Sequence, residues 1–488
     1  MEAERQVEEV IRAISAKDIC AIGTYHALSG DARRKVLETL SANGLRLLTH
    51  LIKDAKKRSF AAANKRFLEI AVESISCGVA FKSISRRRRG VDAGVLCSTS
   101  RSATRRQQRE ANEGDSASTP VYLLDETLIE ENMRILQYVK DRTGCKVLHA
   151  LKSYASFATF PIMSRYLDGT CASGLNEARL GREEFRKEVH TFGTAYREKE
   201  IRQILKYSDS IIFNSFYQLQ KYGKMARKSN VEIGLRVNPG HAEVATDMYN
   251  PCAPYSRLGI IYDVFSEEFP KHKNIVDGLH FHAMCEQNSD VLERILNAFE
   301  KLYGQYIKGL KWVNFGGGHH ITRDDYDLEL LIKLINAFKK KYGVQIYLEP
   351  GEASVYNAGV LISSVLDIIK NKVKIAIMDA SAETHMPDVL LMPYRPHIMK
   401  SGERNEKKYT YRVAGPSCLA GDIMGDYSFD QPLKRGDRLI FTDMALYSIV
   451  KSTTFNGINL PDIAVIRDGG KVEVVKKFGY KDYKGRQS

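Results

Sequence analysis

The stretch "KVLHALKSYA", residues 146–155, sets a lysine directly behind a short, nearly continuous apolar run. Burying an ammonium without a partner is costly, so Lys152 is either a rim residue or an amine the fold uses, and its neighbours decide which. Reading outward, the same kind of run returns as "TCAS" near 170, "VHTFG" near 189, "SIIFN" near 210 and "EIGLRVN" near 232. "DGLHFH" near 277, "KWVNFGGG" near 311 and "IYLEPG" near 346 complete a set of eight. Each is short and apolar enough to be a strand covered on both faces. Amphipathic stretches such as "REKEIRQILKY", "DVLERILNAFEKLYGQY" and "DYDLELLIKLINAFKKKYG" lie between them. Eight such strands with helical crossovers predict a (β/α)8 barrel.

The flanks read differently. Residues 1–82 are expected to form a helical extension, with Val36, Leu37, Leu40, Leu45 and Leu48 near one face of a 3.6-residue period. No chemistry is assigned to it. Residues 83–118 read as a basic, Arg- and Ser-rich linker. The barrel is expected over 119–352 and a β domain over 353–488, carried by "GVLISSVLDIIK", "VKIAIMDAS", "KYTYRVAGP", "DRLIFTDM" and "IAVIRDGGKVEVV". "VYLLDE" at 121 precedes the first barrel strand and is expected to cross over into that sheet, residues 120–125 serving the second domain.

Much of the basic excess behind the net charge of +14 sits in residues 83–109. The aromatic groups that accompany single-strand binding are missing there, so no nucleic-acid partner is expected. No apolar run approaches the roughly 18 residues of a membrane helix, and the start "MEAERQVEEV" is too acidic and polar for a signal peptide. Eight scattered cysteines form no CxxC pair, and a reducing, cytoplasmic setting is expected.

Functional groups in such a barrel gather at the carboxyl ends of the strands. Lys152 follows the first strand, His282 the sixth, Gly316, Gly317 and Gly318 the seventh, and Glu349 the eighth. Loops after strands 7 and 8 commonly hold phosphate, and glycines let backbone N–H groups approach it. A phosphorylated cofactor beside a lysine suggests pyridoxal phosphate, with His282 flat on its ring and Glu349 on its ring nitrogen. A metal site built from His280, His282, His319, His320 and His385 is the competing reading. Against it, an HxH pair of barrel metallohydrolases follows the first strand rather than the sixth, and His280 is expected on the opposite side of its strand from His282. No metal is assigned.

The segments "ALKSYASF", "ASGLNEARLG", "YNPCAPYSRLG", "GLHFHAMCE", "VNFGGGHHIT", "LEPGEA", "MDASAETHMPDVLLMPYRP", "AGPSCLAGD" and "GDRLIFTDMALYSIVKSTTFNG" run from about Thr119 to the C-terminus. Together they resemble the fold-type III pyridoxal-phosphate decarboxylases, the family of ornithine and diaminopimelate decarboxylases, and within it the branch acting on carboxynorspermidine and carboxyspermidine. The resemblance implies an alanine-racemase-like TIM barrel with a C-terminal β domain, and a homodimer with shared active sites. By it Lys152 is the Schiff-base lysine and His282 the ring-stacking histidine. Gly316, Gly317, Gly318 and Tyr447 become phosphate contacts, and Glu349 the partner of the pyridine nitrogen. Cys418 becomes the catalytic cysteine that enters from the other subunit, with Asp422 beside it in the substrate site.

One departure bears on the subclass. Where ornithine and diaminopimelate decarboxylases carry arginine in "EPGR", this chain has Glu352. A glutamate suits a cationic amine. Glu352 and Asp388 are therefore the substrate-binding candidates for a polyamine tail, and the expected products are norspermidine or spermidine and carbon dioxide. A diaminopimelate or basic amino-acid decarboxylase is the alternative, and a non-catalytic cofactor-binding homologue a further one.

Overall fold

The computed structural model of the protein describes residues 2–18, 20–40, 42–76 and 118–488. The basic segment 83–109 lies outside the described residues. The chain divides into two compact units, Met1–Phe60 with Leu128–Tyr356 and Ala61–Thr127 with Asn357–Ser488.

The strand β1 (Val121–Asp125) belongs to the second unit. The first unit is built on the closed parallel barrel β2 (Lys146–Ala150), β3 (Gly169–Ala172), β4 (Glu188–Phe192), β5 (Ser210–Phe213), β6 (Glu232–Arg236), β7 (Gly278–His280), β8 (Trp312–Asn314) and β9 (Gln345–Leu348). All eight coincide with the apolar runs of the sequence. The barrel closes where Lys146 and Val147 pair with Tyr347 and Leu348.

Why the strands run so short follows from what fills the barrel. Leu148, Ile212, Trp312 and Tyr347 pack as one buried cluster, and Trp312 is the large member. Its indole needs space that neighbouring strands supply as hydrogen: a Cβ at Gly278 would lie 2.1 Å from the ring. Its Nε1–H donates to Glu232 Oε2 at 2.8 Å, so the indole's polar handle is satisfied.

The crossover helices carry legible ends. Ser289–Ile307 begins at Asn288, whose side chain accepts from Ser289 N, and it buries Leu292, Ile295, Phe299 and Tyr303 at helical spacing. Leu328–Tyr342 begins at Asp327, which accepts from Leu330 N, and stops at Gly343 in the left-handed conformation.

Among the described residues four helices precede β1: α1 (Glu2–Ser15), α2 (Ala21–Ala27), α3 (Gly30–Thr39) and α4 (Ala42–Ser76). The apolar period read through Val36 to Leu48 is interrupted at Leu40, whose backbone is extended. Ser41, Asn43 and Gly44 favour such a break. Val36 ends up buried on α3 and Leu48 on α4.

In the second unit β1 pairs in parallel with β15 (Asp462–Ile466) and antiparallel with β10 (Gly359–Asn371). The sheet runs β13-β12-β11-β10-β1-β15-β16, with β14 also on β10. Here β11 is Val373–Met378, β12 Tyr409–Ala414, β13 Ile423–Phe429, β14 Arg438–Thr442 and β16 Val472–Lys476. The strand β13 has no counterpart in the sequence reading, because "IMGDYSF" interrupts its apolar residues with glycine and aspartate. Tyr122, Leu361, Met378, Tyr411, Tyr427 and Phe441 form the core of this unit.

Candidate active site

The polar groups of the barrel unit gather at the carboxyl ends of its strands. Glu349 follows β9 by one residue, and its amide donates to Gly316 O at 2.8 Å, which ties the last strand to the glycine turn. Its carboxylate is nearly buried, with Oε1 accepting from Asn314 Nδ2 at 2.7 Å. Oε2 lies 3.3 Å from His280 Nε2. Burial pushes the carboxyl pKa up, but His280 and Asn314, with more distant help from His190, outweigh it and hold the value near 2. Glu349 is therefore an ionised carboxylate inside the barrel mouth.

Asn314 serves twice, because its Oδ1 also accepts from Gly316 N at 2.8 Å. The glycine turn is closely packed. A Cβ on Gly316, Gly317 or Gly318 would come within 2.4, 2.2 and 2.0 Å of the carbonyl oxygens of Phe281, Glu349 and Met284. Gly316 and Gly318 also have positive φ, where glycine is at ease. Two of the three amides are engaged within the turn's own surroundings: Gly316 N on Asn314, and Gly317 N, which donates to His282 Nδ1 at 2.9 Å.

That last bond fixes the His282 tautomer with its proton on Nε2. Burial, then the charges of Lys152 and Arg236, push the imidazole's pKa well below its ordinary value, so the ring is neutral. Arg236, at the end of β6, donates to His282 O at 3.3 Å and lies 4.5 Å over the Phe192 ring. Burial lowers the guanidinium's pKa to about 10.

Lys152, two residues beyond β2, has an exposed side chain. Its charge nevertheless lowers the pKa values of His282 and Glu177 and opposes the rise at Cys171. The Cys171 thiol is held protonated by burial and the Glu349 charge. Glu352 opens the short helix Glu352–Val355, and its Oε2 lies 2.6 Å from His320 Nε2.

His280 corrects an expectation. Side chains two apart on a strand share a face, so His280 enters the barrel interior as His282 does, one layer deeper. Phe281 between them points outward and stacks on Phe315. Asn314 and Arg236 are residues that sequence reading missed, and His280 was read only as a metal candidate rather than as the neighbour of Glu349. The available signal was a polar side chain at the end of each of three otherwise apolar strands. Among the described residues, no group of three or more His, Cys, Asp or Glu side chains is arranged to hold a metal ion.

The other candidates belong to the sheet unit. Cys418 is exposed on the turn between β12 and β13, where its amide donates to Asn456 Oδ1 at 2.8 Å. Asp422 is buried, and its two oxygens accept from Ser381 Oγ, Ala382 N and Ser417 N at 2.8, 2.7 and 3.2 Å. These bonds tie the Cys418 turn to residues 381–382, and the substrate-site role expected of Asp422 stays a proposal. Asp388 is paired with Lys451 Nζ at 2.6 and 2.9 Å, so its charge already has a partner within the unit. Lys451 also lies 4.9 Å from the ring centroid of Tyr447, which has φ of 52° at the start of the helix Ser448–Lys451.

The barrel-mouth groups suit pyridoxal phosphate. Glu349 Oε2 keeps acceptor capacity beyond the 3.3 Å approach of His280 Nε2, enough to take a ring N–H, and a neutral imidazole can lie against the ring without repelling it. Comparison with known proteins agrees. The family profile described as "Pyridoxal-dependent decarboxylase, C-terminal sheet domain" matches residues 121–445. The chain is 43% identical over 380 residues to a carboxynorspermidine/carboxyspermidine decarboxylase of Campylobacter jejuni, across 76% of this chain and 98% of that protein. It is 40% identical over 373 residues to a carboxyaminopropylagmatine decarboxylase of Synechocystis, across 76% and 96%. The crystal structure of carboxynorspermidine decarboxylase complexed with norspermidine from Campylobacter jejuni superposes with a TM-score of 0.71 at 42% identity, covering 76% of this chain and 100% of that one. The chain belongs to the pyridoxal-dependent decarboxylase family, in the company of the carboxynorspermidine/carboxyspermidine decarboxylases.

Proposed function

We propose that the protein is a pyridoxal-phosphate-dependent decarboxylase of carboxynorspermidine, carboxyspermidine or both, yielding norspermidine or spermidine and carbon dioxide. The observation that carries the reading is the 43% identity to an enzyme of that name over 98% of its length. Glu352 stands where arginine is expected in the amino-acid decarboxylases, which supports a cationic tail over a second carboxylate. The diaminopimelate decarboxylases are more distant, at 24% identity. The Synechocystis relative supports a second reading, in which the distal group is a guanidinium.

In this assignment Lys152, Cys418 and His282 are the catalytic residues. Pyridoxal phosphate supplies an aldehyde that condenses with amines and a ring that accepts an electron pair from the substrate Cα. Lys152 holds the cofactor and releases the product amine. Glu349, ionised at any working pH, keeps the proton on the ring nitrogen, and a protonated ring is the stronger electron sink. With the cofactor bound, His282 would support its ring and the Gly316–Gly318 turn would take its phosphate; Tyr447 remains a phosphate contact by the family resemblance alone. One bond breaks, between Cα and the carboxyl carbon, and one proton returns to Cα; Cys418, contributed by the second subunit of a homodimer, is its donor. Glu352 and Asp388 meet the ammonium groups, and for Asp388 this requires Lys451 to yield its place.

The domain division proposed with this function is a helical extension over 1–82, a basic linker over 83–118, a cofactor-binding barrel over 119–352 and a β domain over 353–488, to which the strand at 120–125 is contributed from before the barrel. A cytoplasmic enzyme is proposed too: the described cysteines are free thiols, and among the described residues no helix is long and apolar enough to cross a membrane. The test is Lys152→Ala. Loss of turnover together with loss of the cofactor's visible absorbance is expected, and retained turnover would remove the assignment.

A further inference from the structure

The helix α4 precedes the family match, yet it makes the most specific polar contacts of the N-terminal segment. Thr49, Lys53 and Lys56 recur at i, i+4 and i+7 and so share one face. Thr49 Oγ1 donates to Glu329 Oε1 at 2.8 Å, and Lys53 Nζ donates to Asp324 O at 3.0 Å and to Tyr326 O. Lys56 is only 5% exposed, and its ammonium bonds to Thr322 O and lies 5.0 Å from the Tyr356 ring centroid. A lysine this buried, on a segment with no chemistry of its own, calls for a reason.

Both partners of Lys56 lead to Glu352. Thr322 Oγ1 donates to Ala353 O at 2.7 Å, one residue beyond Glu352. The Tyr356 ring packs against His320, with centroids 5.5 Å apart, and His320 Nε2 holds Glu352 Oε2 at 2.6 Å. The segment 320–322 and the helix 352–355 are thus clasped from outside by one ammonium.

We propose that α4 is a built-in specificity element of the decarboxylase, and that Lys56 is a positioning residue that fixes the Glu352 carboxylate toward the cationic tail of the substrate. The inference rests on the polyamine reading of Glu352. It assigns the N-terminal segment a role in substrate affinity and none in the bond-breaking step. Glu131 also feels the Lys56 charge, after that of Arg134, so a purely structural role as counter-charge is the competing explanation.

The test is norspermidine binding by calorimetry to the full-length, cofactor-loaded protein, alongside steady-state kinetics. Lys56→Met keeps the apolar stem and removes the charge. It is expected to weaken norspermidine binding and raise KM about fivefold with kcat within twofold, while Lys56→Arg stays close to the parent. In a Glu352→Gln background the same substitution is expected to change nothing further. Unchanged binding by Lys56→Met, or an effect that adds in full to that of Glu352→Gln, would overturn the inference while leaving the polyamine function standing. No norspermidine or spermidine binding by the parent protein would instead overturn the polyamine reading, and the inference with it.

Discussion

Glu349 shows how a buried carboxylate is kept charged. Taking it out of water favours the neutral acid, and that is reversed only because Asn314 and His280 come from two other strands to meet it. Glu349→Gln keeps the shape but removes the charge that, in the proposed assignment, would retain the ring proton. An activity loss of about 100-fold or more is expected in kcat with the cofactor still bound, and a kcat within threefold of the parent would deny Glu349 that role. In the proposed assignment Glu352 serves binding rather than chemistry, so Glu352→Gln is expected to raise KM for the carboxylated polyamine about tenfold with kcat little changed, the equivalent of about 1.4 kcal/mol. An unchanged KM would take Glu352 out of the site. At this scale the sequence placed Lys152, His282 and Glu349 at the ends of barrel strands, where the structure also has them, because strand ends are predictable. It gave no sign of Asn314 and Arg236 and offered His280 only to a metal site, because what matters is which carboxylate or carbonyl each reaches across the barrel. Asp422 and Asp388 show the reverse, carboxylates whose chemistry suggested a ligand and whose local donors are Ser381, Ala382, Ser417 and Lys451.

Among the elements, the barrel was the most legible part, because a strand buried on both faces must be apolar throughout and a crossover helix must be amphipathic. The break between α3 and α4 and the strand β13 escaped, each for want of a continuous pattern. Registry within the barrel depends on Trp312 filling its lumen beside Gly278. Gly278→Ala sets a methyl 2.1 Å from a rigid indole that is itself hydrogen-bonded to Glu232. It is expected to destabilise the barrel by about 1–3 kcal/mol and to lower the thermal midpoint. A midpoint equal to the parent's would mean that Trp312 does not occupy the lumen in this way.

Across the whole molecule, buried neutral histidines make stability depend on pH. Burial lowers the pKa values of His149 and His319 in the barrel unit, and of His385 in the sheet unit, to about 4 in each case, against weaker upward effects of backbone bonds. The unfolded chain takes up these protons near pH 6.5 and the folded chain does not. Their contribution is therefore intact above pH 6.5, falls as pH drops from there, and stops changing below about 4. At pH 5.5 each costs on the order of 1 kcal/mol, so His149 and His319 together are expected to remove about 2–3 kcal/mol from the barrel unit relative to pH 7.5, and His26 and His282, also lowered by burial, act in the same sense. Glu349 acts lower, between its ordinary 4.5 and about 2. Glu131, Asp141 and Glu177, raised by burial, act in the opposite sense at acid pH, so the window from 7.5 to 5.5 is the informative one. Denaturant unfolding at both pH values measures it, and equal stability would show that these rings are protonated in the fold. At this scale the sequence separated barrel from sheet through the change from alternating helices and strands to strands alone after Glu349, but it could not say what the N-terminal helices touch.

The measurement that bears most directly on the function is carbon dioxide release by the full-length protein with pyridoxal phosphate, offered carboxynorspermidine, carboxyspermidine, carboxyaminopropylagmatine, diaminopimelate and ornithine separately. Release from the carboxylated polyamines, with little from the two amino acids, is the expected result. Release from diaminopimelate or ornithine only would contradict the reading of Glu352 and leave the fold and cofactor in place.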